Sequence, residues 1–422
     1  MSNIEQKALP REFISRRNRN WISLGLMYAS FYMCRYNFPI ANKTISERFG
    51  FSREEMGWII AATMWAYAFG QLLNGLITDK IGGRKAILTG AAGTIILNIL
   101  MGFGGYFNSL TYFMLIWGLN GYFQAFGAPS VVKTNANWFR ISERGTFTGI
   151  FGLMIQFGRW AIMLLGGILI IKFSWEYLFF IPSIITFVFA VLAYLNVKDT
   201  PEECGFDCIS NDVNECEDNE KLDVLSVARK VLTSKPLWII SFAYFCTGVV
   251  RHGVDQWYIR YLKEVHQVST DSFGYMLTAF GLPMAAVLGS FAAGIASDRL
   301  FGSRRGPAAA LMYLGQFVML IVFSLISGEL LSPVLIVIMQ FFINGPHSLL
   351  GGAAAMDFGG RKAAGFASGL IDCWQYIGAG LVAGVFMGRI IESSGYAGWI
   401  ITLLVFAFLG FLSMLTLWNK KA

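Results

Sequence analysis

Apolar stretches of membrane-spanning length dominate this sequence and constrain its fold more than any motif does. Twelve of them follow one another along the 422 residues, near 21–41, 56–78, 86–106, 110–131, 147–171, 175–196, 237–260, 271–296, 307–327, 331–352, 364–390 and 396–418. About 20 apolar residues let a helix cross a bilayer, and lipid requires every backbone polar group to be hydrogen-bonded internally. The sequence therefore predicts an all-α membrane protein with twelve transmembrane helices.

The composition excludes several other classes of protein. Charged residues make up 14% of the chain and hydrophobic residues 55%, whereas soluble proteins carry about 25% charged residues. The net charge of +7 is spread over many connections, so we expect no nucleic-acid partner. No metal-ligand spacing, catalytic triad or phosphate-cradling loop is present, and we expect no metal, no cofactor and no catalysis. Cys204, Cys208 and Cys216 share one polar connection, where we favour incidental thiols over a metal or redox role.

One polar, acidic segment divides the chain into two halves of six apolar stretches each. We predict an N-terminal bundle over 1–196, a cytoplasmic linker over 197–236 and a C-terminal bundle over 237–422. Of the 33 lysines and arginines, three lie inside spans and seven on one side, which leaves 23 on the side of the N-terminus. Because basic residues concentrate in cytoplasmic connections, we expect a multi-pass protein of the plasma (inner) membrane with both termini in the cytoplasm.

An internal repeat relates the two halves. The segment from Gly75 to Lys85 contains Asp79 and Arg84, and its counterpart from Gly294 to Arg305 contains Asp298 and Arg304. The first segment follows the second span, and its counterpart follows the eighth. Two copies in register indicate that a six-helix unit has been duplicated in parallel orientation. An acid at the end of one helix and a basic cluster beyond it predict a bridge between neighbouring helices at the cytoplasmic face.

The repeated connection resembles the loop signature of the major facilitator superfamily, Gly-x-x-x-Asp-Lys/Arg-x-Gly-x-Arg. This resemblance extends over essentially the whole chain. It implies two six-helix bundles related by pseudo-two-fold symmetry around a central cavity that opens alternately to either side. It also implies that the repeated connections take part in gating, through Asp79, Arg84, Asp298 and Arg304.

The spans contain three arginines, which indicate an anion site. Tyr28, Tyr32 and Arg35 are spaced so that they share one helical face, and Arg251 lies at the place equivalent to Arg35 in the second half. An arginine at mid-membrane depth costs at least about 2.5 kcal/mol, so we expect both to face the protein interior. Two guanidiniums from opposite halves could hold a phosphate monoester. The alternatives are an ion pair within the bundle, such as Arg251 with Asp255, and snorkelling from a span end.

The third arginine, Arg159, follows Gln156 by three residues in the fifth span. No acidic residue is near it in the sequence. Its charge therefore requires either Asp255 or Asp372 from the other half, or an anionic ligand, and the sequence leaves both alternatives open.

A second resemblance narrows the substrate class. Tyr28-x-x-x-Tyr32-x-x-Arg35 in the first span, and Arg251-His-Gly followed by a tryptophan in the seventh, are similar to the organophosphate:phosphate antiporters, which include glycerol-3-phosphate and hexose-6-phosphate transporters. The resemblance implies that Arg35 and Arg251 bind phosphate and that Tyr28, Tyr32 and Tyr67 line the cavity.

The chain departs from this family's pattern at several cavity positions. The fifth span lacks the substrate-site histidine of the glycerol-phosphate members, and Gln71 replaces a cavity lysine. Ser368 and Ile371 stand where hexose-phosphate carriers have an acid and a lysine. The resemblance therefore does not assign the ester. Further polar residues of the spans predict a differently arranged pocket for a more anionic ester: Arg159, Gln156, Gln124, Asp372, Gln375 and Tyr376.

These observations predict a secondary transporter of a phosphorylated organic solute, such as a sugar phosphate, in exchange for inorganic phosphate. Its expected partners are the small anionic ester, inorganic phosphate and the lipid bilayer, and we expect a monomer. One alternative is a membrane receptor of the same fold that binds a sugar phosphate and signals. The other is a proton-coupled organic-anion carrier that uses Asp255 or Asp372 as its proton site.

Overall fold

The computed structural model describes residues 10–139, 141–206, 232–302, 304–326, 328–354 and 369–420, and this part of the chain is helical without a strand. The linker is described only at its ends. Cys208 and Cys216, and with them most of the cysteine cluster, lie outside the described residues.

The N-terminal half contains the first six spans. The helices are Arg11–Phe49, Arg53–Ile81, Gly83–Gly102, Leu110–Gln124 with Gly127–Trp138, Ile141–Lys172 and Tyr177–Asn196. The fourth span consists of two helices because the regular helix is interrupted at Ala125 and Phe126.

The C-terminal half repeats this arrangement. Its helices are Lys235–Val265, Phe273–Ile295 continued by Ala296–Leu300, Arg305–Leu325, Leu331–Ser348 continued by Leu349–Ala354, then 369–378 with Ala379–Phe386, and Met387–Leu415. The last range holds the end of the eleventh span and the whole of the twelfth, which meet at Gly395. That residue has φ 65° and ψ −166°, a conformation that glycine adopts without the penalty of a side chain.

Nine helices in the described ranges are long and apolar enough to cross a membrane. The difference from twelve has a local explanation. The first span carries many charged residues, the fourth is divided, and 369–415 is a single helical range that holds two spans. The predicted twelve-helix, two-bundle architecture is therefore confirmed. Apolar side chains such as Phe187 and Leu195 are exposed on the sixth span, as expected of a surface that faces lipid.

The two halves pack closely at one end of the molecule, which we call the sealed end. It carries the connections at Gly50, His266 and Gly395. The second span contacts the eleventh there through glycines, and a Cβ atom on Gly57 would lie 2.5 Å from the carbonyl oxygen of Gly384. Small residues permit this approach of two backbones in a membrane bundle.

Ion pairs between the halves reinforce the sealed end. Arg53 Nη2 lies 2.9 Å from Glu264 Oε2, and Arg389 Nη2 lies 2.6 Å from Glu54 Oε1. Arg260 of the seventh span donates hydrogen bonds to the first span, to Asn42 Oδ1 at 3.1 Å and to Ser46 Oγ at 3.3 Å. Four spans are therefore connected at this end by charged or polar side chains.

The glycine contact predicts a stability difference between two glycine-to-alanine substitutions. Gly57→Ala should destabilise the closed sealed end by about 1–3 kcal/mol, because the added methyl meets backbone atoms that cannot rotate away. Gly118→Ala is the control, since its Cβ would lie at an ordinary 3.5 Å from Ala62. The measurement is the midpoint of thermal unfolding in detergent. Equal midpoints for the two variants would contradict the packing described here.

Candidate functional site

Arg35 is held by aromatic rings and one amide in the N-terminal half. Its guanidinium carbon lies 5.0 Å from the ring centre of Tyr32 and 4.3 Å from that of Tyr67, and Tyr28 packs edge-on against Tyr32. Arg35 Nε donates to Gln124 Oε1 at 2.8 Å, while its buried Nη2 has no hydrogen-bond partner among the described residues. Only 8% of the residue is exposed. The structure thus brings Tyr28, Tyr32, Arg35, Tyr67 and Gln124 together.

A chain of buried amides fixes Gln124 in turn. Gln124 Nε2 donates to Cys34 O at 3.0 Å and to Asn120 Oδ1 at 3.3 Å. Asn98 Nδ2 also donates to Asn120 Oδ1, at 3.0 Å, and Asn37 Nδ2 donates to Asn98 Oδ1 at 2.9 Å. Sequence reasoning did not identify these asparagines as supports of Arg35. The available signal was their polarity inside apolar spans, where buried amides need partners.

Arg251 approaches the same aromatic residues from the C-terminal half. It is 7% exposed, and its Nε has no hydrogen-bond partner in the part of the chain that the structure describes. Tyr32 and Tyr376 each lie near both Arg35 and Arg251. The rings of Tyr67 and Tyr376 are in contact across the halves, with centroids 4.5 Å apart. Two nearly buried guanidiniums therefore face one aromatic cluster from opposite bundles.

Arg159 has its counter-ion in the other half. Its Nη2 lies 2.5 Å from Asp255 Oδ1, its guanidinium carbon lies 4.5 Å from the ring centre of Tyr36, and Tyr36 donates to Asp255 Oδ2 at 3.1 Å. Arg159 and Asp255 are 2% and 1% exposed. The sequence left Asp255, Asp372 and an anionic ligand open as partners of Arg159, and in this conformation the partner is Asp255. Gln156 lies one turn away on the same span with a buried Oε1 that has no partner.

Asp372 belongs to a polar cluster within the C-terminal half. Tyr244 and Arg251 both interact with it electrostatically. Tyr244 also shares a hydrogen bond of 2.6 Å with His347 Nδ1, and Gln375 Nε2 lies 3.2 Å from the same nitrogen. Asp372 is therefore close to Arg251.

Three of the predicted gating residues, Arg84, Asp298 and Arg304, contact neighbours in their own half near the end opposite the sealed end. Arg84 donates its backbone N–H to Asp199 Oδ1 at 2.7 Å and its Nη2 to Tyr194 O at 2.6 Å. Asp298 pairs with Arg305 Nη1 at 2.7 Å, and Arg304 Nε donates to the carbonyl of Phe301.

The bridge between the eighth and ninth spans is thus made by Arg305 instead of Arg304. The side chain of Asp79 lies outside the described residues, and the gating role of all four residues stays a prediction.

The site contains more positive than negative side chains. One acid, Asp255, is engaged by Arg159, and a second acid, Asp372, lies near Arg251. A dianionic ligand with several oxygens suits this arrangement, because each guanidinium offers two donors in a planar fork.

Comparisons with known proteins show the family of this chain. Residues 24–383 match the family model of the Major Facilitator Superfamily. The chain is 32% identical to the glycerol-3-phosphate transporter of Bacillus subtilis, over 94% of this chain and 91% of that protein. It is 30% identical to a probable hexose phosphate transport protein of Chlamydia trachomatis, over 96% and 91%. It is 26% identical to the membrane sensor protein UhpC of Escherichia coli, over 97% and 94%.

Solved structures with the same fold are more distant in sequence. A bacterial homolog of the human lysosomal transporter Spinster, in an inward-facing and unoccupied conformation, aligns with a TM-score of 0.73 at 16% identity, over 95% of this chain and 97% of that chain. A D-xylose–proton symporter aligns with a TM-score of 0.68 at 14% identity, over 95% and 98%. The predicted family is confirmed, and the chain is a multi-pass membrane protein.

The Arg159–Asp255 pair predicts how single and paired substitutions differ. Arg159→Met or Asp255→Leu alone should destabilise the protein by about 3–5 kcal/mol, because each leaves one buried charge without its counter-ion. The double variant should recover most of this loss. Glu47→Gln is the control, since it breaks an exposed pair with Lys43 worth at most about 1 kcal/mol. Thermal unfolding and the amount of inserted protein measure the effect, and additive losses in the double variant would disprove the pairing.

Proposed function

The chain belongs to the Major Facilitator Superfamily, and we propose that it is a secondary active transporter that exchanges a phosphorylated organic solute for inorganic phosphate by alternating access. The observation that carries the proposal is the pair of nearly buried arginines, Arg35 and Arg251, which face one aromatic cluster from opposite halves. Relatives that match almost the whole chain and are named as phosphate-ester transporters support it. The chain is a carrier and not an enzyme.

The electrostatics of the two arginines provide the coupling between binding and movement. Without a ligand, Arg35 and Arg251 repel each other, and closing the bundles around them removes two like charges from water, which is costly. A bound phosphate offsets the repulsion and accepts hydrogen bonds from both guanidiniums. The loaded carrier therefore interconverts readily while the empty carrier does not, and exchange follows from differential stabilisation of the closed state.

The remaining predicted site residues have supporting roles. Tyr28, Tyr32, Tyr67 and Tyr376 form the aromatic wall beside the phosphate group, and Gln124 orients Arg35. Gln156, with its unpartnered Oε1, is available to the organic part of the ester. Arg159, whose Nη2 is engaged by Asp255 and whose Nε has no partner among the described residues, adds positive charge beside the ligand, and Asp372 adjusts the charge around Arg251.

The sealed end faces the outside of the cell in this proposal. The positive-inside rule places both termini and the linker in the cytoplasm of a plasma-membrane protein. Opening the sealed end then requires that Arg53 separate from Glu264 and Arg389 from Glu54. Closing the opposite end brings together the repeated connections with Asp79, Arg84, Asp298 and Arg304. A single chain contains both arginines, so a monomer is sufficient.

Counterflow in reconstituted vesicles tests the proposal. Proteoliposomes loaded with unlabelled inorganic phosphate should take up labelled phosphate, and a panel of external phosphate esters should compete with this uptake. A sensor, as the name of one relative suggests, would bind ester without exchanging label. A proton-coupled carrier using Asp372 would take up anion into phosphate-free vesicles when a pH gradient is imposed.

Conservative substitution of the arginines isolates their geometry from their charge. Arg35→Lys and Arg251→Lys should each reduce phosphate exchange by at least about a hundredfold, because lysine keeps the charge and loses the planar fork. Arg19→Lys, at an exposed position near the N-terminal end of the first span, is the control and should transport normally. Exchange rates are compared at equal amounts of inserted protein. Near-normal transport by both site variants would remove these arginines from the phosphate site.

A further inference from the structure

Two buried glutamines of the C-terminal half have polar atoms without a hydrogen-bond partner. Gln340 in the tenth span is fully buried, and neither its Oε1 nor its Nε2 has a partner among the described residues. Gln316 in the ninth span is 1% exposed, and its Nε2 has no partner in that part of the chain either. Leaving such a group unpaired costs about 1–3 kcal/mol. Buried amides are normally paired, so these two are expected to find partners in another state of the protein.

The register of the spans places Gln340 level with Arg251. Tyr244 of the seventh span hydrogen-bonds His347 of the tenth. The two spans run antiparallel in the twelve-helix topology, so a residue seven positions after Tyr244 lies at the same depth as a residue seven positions before His347. These two residues are Arg251 and Gln340. Arg251 Nε is itself a buried donor without a partner.

The repeat assigns Gln340 a counterpart in the N-terminal half. Gln340 is as far along the chain from Gln124 as Arg251 is from Arg35. In the N-terminal half the corresponding bond is made, because Arg35 Nε donates to Gln124 Oε1 at 2.8 Å. Both halves therefore contain an arginine and a glutamine in the same register. A hydrogen bond connects the two side chains in the N-terminal half, and no such bond connects Arg251 with Gln340 in this conformation.

Gln316 of the ninth span lies at nearly the same depth as Gln340. Met312 and Gly315 of the ninth span meet Gly345 and Phe342 of the tenth, which puts Gln316 within one residue of the level of Gln340. The repeat makes Asn98 the counterpart of Gln316. The number of residues between them is larger than that between Arg35 and Arg251 and smaller than that between Asp79 and Asp298. Asn98 is the third-span member of the amide chain behind Arg35.

We propose that Gln340 is a positioning residue for Arg251, and that its Oε1 accepts hydrogen bonds from Arg251 Nε and Gln316 Nε2 when an anion with the chemistry of phosphate occupies the site. The inference rests on the proposed function. Arg35 is already fixed by its amide chain, whereas Arg251 acquires its support on binding. The C-terminal guanidinium is therefore the one that moves onto the ligand. Three of the four unpaired buried atoms, Arg251 Nε, Gln340 Oε1 and Gln316 Nε2, become paired in the loaded state.

Replacement of Gln340 by leucine separates this role from a structural one. Gln340→Leu should weaken the binding of inorganic phosphate about tenfold, or about 1.4 kcal/mol, and raise its KM similarly, because Arg251 loses its acceptor. The same change should raise the unfolding midpoint of the ligand-free protein, because it removes a buried unpaired amide. A merely structural residue would shift stability and affinity in the same direction.

The matched control is Asn344→Leu, one turn along the same span. Asn344 is also buried, and its Nδ2 donates only to the backbone carbonyl of Gln340 within their own helix. We expect Asn344→Leu to keep the phosphate dissociation constant within about twofold of the wild-type value. Gln340→Met serves as a second variant of similar shape and also lacks the acceptor.

Phosphate binding is measured by calorimetry on the purified full chain, beside unfolding midpoints. Normal affinity in both Gln340 variants, or an equal loss in Asn344→Leu, overturns the inference and leaves the proposed function intact. Absence of phosphate binding by the wild-type protein contradicts the proposed function, and the phosphate-dependent role of Gln340 falls with it.

Discussion

The burial of guanidinium charge at the junction of two bundles is the constraint on which the rest of this structure depends. Arg35, Arg159 and Arg251 lie in spans, are nearly inaccessible to solvent, and cannot lose their charge by deprotonation. Each must therefore be compensated by aromatic faces, amides, an acid or a ligand. Arg159 has an acid, Arg35 has rings and Gln124, and Arg251 lies near Asp255 and Asp372 while its Nε is unpaired among the described residues. This unequal compensation makes the site receptive to an anion.

The contacts at the sealed end and the arginines of the site both lie at the interface between the two six-helix halves. The glycine contact of Gly57 with Gly384 permits the bundles to meet without intervening side chains, and the Arg53–Glu264 pair adds polar bonds that can break and form again. Exposed or partly exposed ion pairs contribute little net stability. The contact is thus firm enough to exclude water and weak enough to open, as alternating access requires.

Much of the fold could be predicted from the sequence because lipid leaves few alternatives. Span length and the repeated connections predicted twelve helices in two related halves, and the structure and the comparisons agree. The division of the fourth span at Ala125 was not predicted, since its hydropathy continues across the break. The placement of Tyr28, Tyr32 and Arg35 beside one another followed from helical spacing alone.

Contacts between distant spans were beyond such reasoning. From the sequence, the counter-ion of Arg159 could be Asp255, Asp372 or an anionic ligand. The relative placement of the two halves makes it Asp255 in this conformation. The asparagine chain from Asn37 to Asn120 joins three spans whose separation in sequence carries no periodic signal. The partner of Arg251 in the loaded state depends on a conformational change, which a single sequence does not encode in any local pattern.

The claim that one phosphate is shared by two arginines from opposite halves is tested most directly by a double-mutant cycle on equilibrium binding. Calorimetry would give the affinity for inorganic phosphate of the wild-type protein, Arg35→Gln, Arg251→Gln and the double variant. If one anion bridges the halves, each single substitution should abolish most of the binding, and the second should add little. Independent, additive losses from the two substitutions would contradict a shared phosphate and the account built on it.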